Sequence, residues 1–193
     1  MIAGWLIAAF SGVGIGLLLG RTHTLECFLR PLLRFGMNVP PPALLPLTIV
    51  LFGFSPAGML FLIDFGALWP VLINTLDASR EIDSQLVDTG RVLHFSRFQF
   101  LVRVLIPACG PRIMTGLRIG LSLSLILTVI AEMYGATSGI GRAIVGAQRS
   151  FQTLEMWSGI IMLALLGVLA NRVFLMIEHR LLRWHAGLRA MQR

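Results

Sequence analysis

Two long stretches without a charged side chain, residues 2 to 20 and 35 to 63, decide what this chain can become. At 1.5 Å rise per residue, the first covers about 28 Å, enough for a bilayer's hydrocarbon core. Composition agrees: 56% of the 193 residues are hydrophobic and 13% charged, where an ordinary soluble domain carries about 25% charged residues. Each crossing takes roughly 20 residues, so about four to six fit and no large soluble domain can be added. The sequence predicts an all-α, polytopic membrane helical bundle forming one transmembrane domain over residues 1–193.

The run from 35 to 63 is too long for one crossing, and Phe54-Ser55-Pro56 is a natural break within it. Five spans result, at about 2–20, 35–54, 57–78, 113–132 and 156–177, with a loop at about 79–112. The arginines test this division. All 16 positive charges are arginine, and five spans place 14 on one side, leaving Arg142 and Arg149 on the other. Merging 35–78 into one span would give 11 against 5. Cytoplasmic loops carry the positive excess, so the N-terminus is expected outside and the C-terminus in the cytoplasm. The first run has neither a basic leader nor a cleavage pattern and reads as a span, not a signal peptide.

A net charge of +7 would suggest nucleic acid in a soluble protein, but here the arginines punctuate apolar runs, and no nucleic-acid partner is expected. The absence of lysine excludes a Walker A phosphate loop and a Schiff base. Any ATP-driven step must therefore draw on another chain, and no cofactor is expected on this one. Cys27 and Cys109 read as reduced structural thiols. His23, His94, His179 and His185 lie far apart without metal-ligand spacing. No nucleophile–base pair stands out, so neither a metal site nor a catalytic residue is expected.

The loop near 79–112 is the most informative stretch. Asp83 can cap a short helix, with Ile82 and Val87 as its hydrophobic staple. Ser96 followed by Gln99 is a capping box, and Phe95 with Phe100 occupies the matching staple positions. Phe98, Leu101, Val102 and Leu105 repeat at helical spacing, and Pro107 marks the expected end of that helix. Two short amphipathic helices joined around Leu93-His94-Phe95 are predicted. They suit a docking knob for a cytoplasmic partner, or a helix lying on the headgroups.

Asp88-Thr89-Gly90-Arg91-Val92-Leu93-His94, nine residues and then Val104-Leu105-Ile106-Pro107 resembles the EAA loop of binding-protein-dependent ABC importer permeases. The spacing matches throughout. Asp-Thr-Gly stands where Glu-Ala-Ala is usual, and His94 where the family has the glycine of a left-handed turn. Further resemblances follow in order: Pro40-Pro41-Pro42 with Leu44-Leu45-Pro46-Leu47, Pro107 to Arg118, Ala131-Glu132-Met133, Ser138-Gly139-Ile140-Gly141, and Arg180-Leu181-Leu182-Arg183-Trp184.

Together they are most similar to the branch importing taurine, alkanesulfonates and nitrate, whose members usually have one more N-terminal helix. The resemblance implies a transport subunit of the bacterial inner membrane that is not an enzyme. It also implies pairing with a second permease, as a homodimer or with a related chain. Two cytoplasmic ATPase subunits carrying ATP and Mg would grip the loop, and an extracytoplasmic solute-binding protein would deliver a small anion. Asp88, Gly90, His94, Ser96, Arg97 and Phe98 become the expected coupling residues.

In the fourth span Gly116, Gly120, Ser124, Thr128 and Glu132 recur every four residues. The glycines suit close helix packing. Ser124, Thr128 and Glu132 form the polar end and are candidate pathway residues, although Glu132 would repel an anion and reads more as a gate or anchor. Asp64 lies inside the third span, where an ionised carboxylate costs about 2.5–3.5 kcal/mol on insertion scales. It should face the bundle interior, water, or a donor such as Asn38 or Asn74. A self-contained carrier or channel is the alternative reading, with Asp64 and Glu132 as its only candidate ion site. If Asp64 serves a pathway, Asp64→Ala should impair uptake while membrane insertion, read by protease protection, stays intact; unchanged uptake would remove it.

Overall fold

A computed structural model describes residues 1–135 and 138–182, and every element within them is helical. In chain order these are α1 (Ile2–Arg21), α2 (His23–Asn38), a 3-10 turn (Pro41–Leu44), α3 (Leu45–Phe52) and α4 (Pro56–Arg80). Then come α5 (Ser84–Val92), α6 (Arg97–Phe100), a π turn (Leu101–Leu105), α7 (Ile106–Gly135), α8 (Ile140–Arg149) and α9 (Thr153–Leu181). Among the described residues four helices are long and apolar enough to cross a membrane: α1, α4, α9 and the 39-residue run Arg97–Gly135.

The bundle is built on α1 and α4. A Cβ added at Gly4, Gly12, Gly16 or Gly20 would press on Ile63, Val71, Thr75 or Ser79, each 59 positions further along the chain. That constant offset makes the two helices parallel, with one row of every fourth residue seated against another. Glycine lets the backbones approach where lipid supplies no hydrophobic drive for association. On its other side α4 packs antiparallel to α7, where Gly116 meets Pro70 and Asn74 and Gly120 meets Ala67. Both glycine rows thus serve the close packing their spacing suggests. Trp5 donates its indole N–H to the Leu117 carbonyl at 3.0 Å and stands edge-on to Phe174, tying α1 to α7 and α9.

Parallel α1 and α4 require the chain to cross back between them. In place of one span over 35–54, the return is a broken crossing that begins at α2. Its contacts climb α4 step by step. Glu26 pairs with Arg80 at 2.8 Å, Leu29 and Leu33 lie with Leu72 and Leu76, and Gly36 faces Trp69. Pro41 then reaches Gly66, Leu44 and Leu45 join Leu62 and Ile63, and Phe52 reaches Gly58. The two halves meet at 84°. Prolines cause the break: Val39, ahead of Pro40, is extended (ψ 115°), as a residue before proline prefers. The earlier start follows from Glu26, which is 4% exposed and pairs with both Arg30 and Arg80, so charge at the base of this crossing is compensated.

Two other boundaries also shift. Pro107 does not end its helix, because the run from Arg97 continues unbroken to Gly135. The π turn just ahead of it, closed by the Ile106 N–H on the Leu101 carbonyl, widens the backbone where proline lacks a donor. The fourth span therefore starts well before 113. The last span extends to Thr153–Leu181, and Arg183 and Trp184 lie outside the described residues.

Gly16→Leu should destabilise the bundle by about 1–3 kcal/mol, since its side chain would enter backbone and Thr75. Gly14→Leu, where an added Cβ meets nothing within 4 Å, should leave it unchanged. Thermal melting of both variants in detergent checks the contrast.

Candidate functional site

The elbow of α5 and α6 is assembled from local rules. Asp83 accepts the Gln85 N–H at 2.9 Å and caps α5. At the far end, the Phe95 N–H reaches the Gly90 carbonyl and the His94 N–H the Arg91 carbonyl, both near 3.1 Å. These are the paired bonds of a Schellman motif, with His94 at the left-handed position, φ 50°. The chain then re-enters helix through a complete capping box. Gln99 N–H bonds to Ser96 Oγ at 3.2 Å, and Ser96 N–H to Gln99 Oε1 at 3.0 Å. Gly90 is buried because Phe100 lies directly over it, 2.8 Å from where a Cβ would stand. A larger residue there would push the two helices apart.

The elbow is joined firmly to the bundle. Phe100, Leu101 and Ile82 pack on the core of Leu17, Ala78, Leu105, Cys109 and Ile113, which gathers the ends of α1, α4 and α7. Arg21 lies over the Phe100 ring at 5.1 Å, and Arg112 meets Glu81 at 2.7 Å. The π turn then passes directly into α7. By contrast, the tip is left open: Val92, Leu93 and Phe98 are 76%, 56% and 72% exposed. Around them Asp88, His94, Ser96 and Arg97 are all exposed. The structure therefore brings the six expected coupling residues together on one small projection, Gly90 as its hinge packing and the rest at its surface.

The candidate pathway residues are not united in this way. Ser124 is fully buried, and its hydroxyl bonds to the Gly120 carbonyl at 2.8 Å. Thr128 bonds likewise to the Ser124 carbonyl at 2.7 Å. Thr128 and Glu132 line an apolar chamber of about 500 Å³ between α1, α7, α8 and α9, but Asp64 is not among its lining residues. Glu132 accepts the Gly141 N–H at 2.9 Å, in the first turn of α8, and sits against Gly139 at φ 131°. This is an anchor's geometry. The Oδ1 of Asp64 is buried with no partner among the described residues. Neither suggested donor bonds to it: Asn38 donates to the Arg34 carbonyl and Asn74 to the Pro70 carbonyl.

The Glu26–Arg80 contact was not readable from spacing. Glu26 precedes Arg30 by one helical turn, which signals the local pair, but nothing in the sequence joins it to a residue 54 positions away. No group of His, Cys, Asp and Glu side chains suited to a metal occurs among the described residues.

Residues 12–183 match the family model described as the binding-protein-dependent transport system inner membrane component. The chain belongs to this family. It is 37% identical over 181 residues to a protein of Bacillus subtilis carrying the name of an aliphatic sulfonates transport permease, SsuC. It is 36% identical to the nitrate import permease NrtB of Leptolyngbya laminosa, and 33% to the bicarbonate transport permease CmpB of Synechococcus elongatus. These alignments take in 94%, 92% and 93% of this chain but 66%, 63% and 65% of the relatives, so it spans just under two thirds of their length. In fold it is similar to a chain from inward-facing structures of the MetNI methionine ABC transporter. The TM-score is 0.73 at 20% identity, covering 93% of this chain and 91% of that one. The chain is accordingly a multi-pass inner-membrane protein of this family.

His94 holds a left-handed conformation that costs a Cβ-bearing residue about 1 kcal/mol. His94→Gly should therefore stabilise the elbow and slow amide exchange over residues 84–100 about fivefold; unchanged exchange would show that the turn carries no such strain.

Proposed function

We propose that this chain is the transmembrane permease subunit of an ATP-driven ABC importer and moves a small anion of the sulfonate, taurine or nitrate kind. The observation carrying this reading is the elbow, a projection packed onto the bundle core with an apolar tip at the arginine-rich end. Val92, Leu93 and Phe98 expose large apolar area beside charged residues, the surface expected of a helix pair that seats in a partner's groove. The family and the names of its relatives support the substrate class, since sulfonate, nitrate and bicarbonate are all small oxyanions.

In the proposed mechanism two such chains pair, and two cytoplasmic ATPase subunits, holding ATP and Mg, grip the two elbows. An extracytoplasmic binding protein delivers the solute to the opposite side. Closure of the ATPases draws the elbows together, and each elbow turns α7 because the π turn makes helix continuous from Arg97 to Gly135. α7 carries α4 with it through Gly116 and Gly120. The cavity on the pair's axis then passes from inward-facing to outward-facing, a rigid-body rearrangement. Hydrolysis resets it. The N-terminus lies outside and the C-terminus in the cytoplasm.

Phe98→Asp should reduce both uptake and the co-purifying ATPase at least about tenfold, because it places a charge at the centre of the buried contact, while the permease's level in the membrane is unchanged. Uptake that persists in vesicles containing no ATPase chain would instead favour the self-contained carrier or channel.

A further inference from the structure

A groove of about 730 Å³ lies between the end of α1 and the elbow, and the apolar tip has no part in it: Val92, Leu93 and Phe98 are absent from its lining. Its mouth is cationic. Arg21, Arg91 and Arg97 line it, and among the described ion pairs only Arg91 is engaged, with an exposed Asp88 at 3.1 Å. Arg21 rests one face on the Phe100 ring at 5.1 Å, an arrangement that leaves its planar N–H fork free to bind an oxyanion.

Its wall is apolar. Leu17, Leu18, Leu101 and Leu105 line it, together with Gly14. An added Cβ at Gly14 meets nothing within 4 Å, so the groove stays open along α1 from Arg21 to Gly14, seven residues or about 10 Å. Charge at one end and an open apolar track running along a membrane-spanning helix define an amphiphile. A free phosphate or carboxylate would use only the mouth.

We propose that this groove is a binding site for one anionic phospholipid, its phosphate at Arg21 and Arg97 and an acyl chain along Leu18 and Gly14. Basic pockets beside membrane helices recognise such headgroups. The site rests on α1 being a membrane span with Arg21 at its headgroup end, not on any transport reading. A lipid held there joins α1 to α5 and α6, so membrane composition would bear on how freely the elbow moves.

Native mass spectrometry of the purified full chain in detergent tests this, with phosphatidylglycerol, phosphatidylcholine and glycerol 3-phosphate offered at equal concentration. Phosphatidylglycerol should be retained in preference to phosphatidylcholine, and glycerol 3-phosphate should not be retained. Arg21→Gln should lower phosphatidylglycerol retention about fivefold. Gly14→Leu, which fills the track without changing charge, should lower it as well, whereas Arg149→Gln should have no effect. Equal retention of the two lipids, or variants indistinguishable from Arg149→Gln, would overturn the proposal. Retention of glycerol 3-phosphate that survives Gly14→Leu would also overturn it, by showing a site for a soluble anion.

Discussion

The seam between α1 and α4 is the constraint on which the rest of the molecule depends. Because glycines hold the two helices in parallel at a fixed offset, their ends lie at matching depths. The chain between them must then traverse the full thickness in the opposite sense, and α7 can pack only antiparallel on the remaining face of α4. With α1 and α4 side by side, Leu17 and Ala78 meet Cys109 and Ile113 at one end of the bundle. There the elbow finds its base. A substitution that loosened this seam would therefore act on the projection as well as on the core.

Polar groups are accommodated under the same rule, that a bilayer offers no water to replace a missing partner. Most hydroxyls in the long helices turn back on their own backbone: Ser11, Thr75, Thr115, Ser124 and Thr128 each bond to a carbonyl four residues earlier. Such bonds satisfy the donor but leave little free to greet a solute. Charge is concentrated instead at the arginine-rich end, where Glu26 meets Arg30 and Arg80 and Glu81 meets Arg112. These pairs brace the bases of α2, α4 and α7 around the elbow. They also explain how a crossing can begin with charged residues.

The elbow was the most legible part of the sequence, because its geometry is set within a few residues. Ser96 and Gln99 specify a capping box by identity and spacing, and the expected left-handed turn falls on His94. Asp83 caps its helix for the same local reason. Pro107 misled, since a proline's effect on a helix depends on whether the preceding turn can widen, as Leu101–Leu105 does. Arg30 and Arg34 misled likewise. They bound the uncharged run that begins at residue 35, but Glu26 and the steady climb of contacts along α4 place them within the broken crossing. Of the two intramembrane acids, Glu132 holds the start of α8, whereas the Oδ1 of Asp64 has no partner among the described residues.

By itself, the sequence determined most of what depends on short range or on bulk chemistry. Uncharged runs demand lipid, arginine excess marks one end of the bundle, and caps and turn residues shape the elbow. Only the tertiary structure decided which distant residues share a depth: that Gly16 meets Thr75, that Glu26 serves Arg80, and that Ser124 is buried while Thr128 faces a chamber. The reason is physical. Periodicity defines a helix's faces but not which neighbour each face will meet, and in a uniformly apolar bundle that choice is made by fit between side chains far apart in the chain.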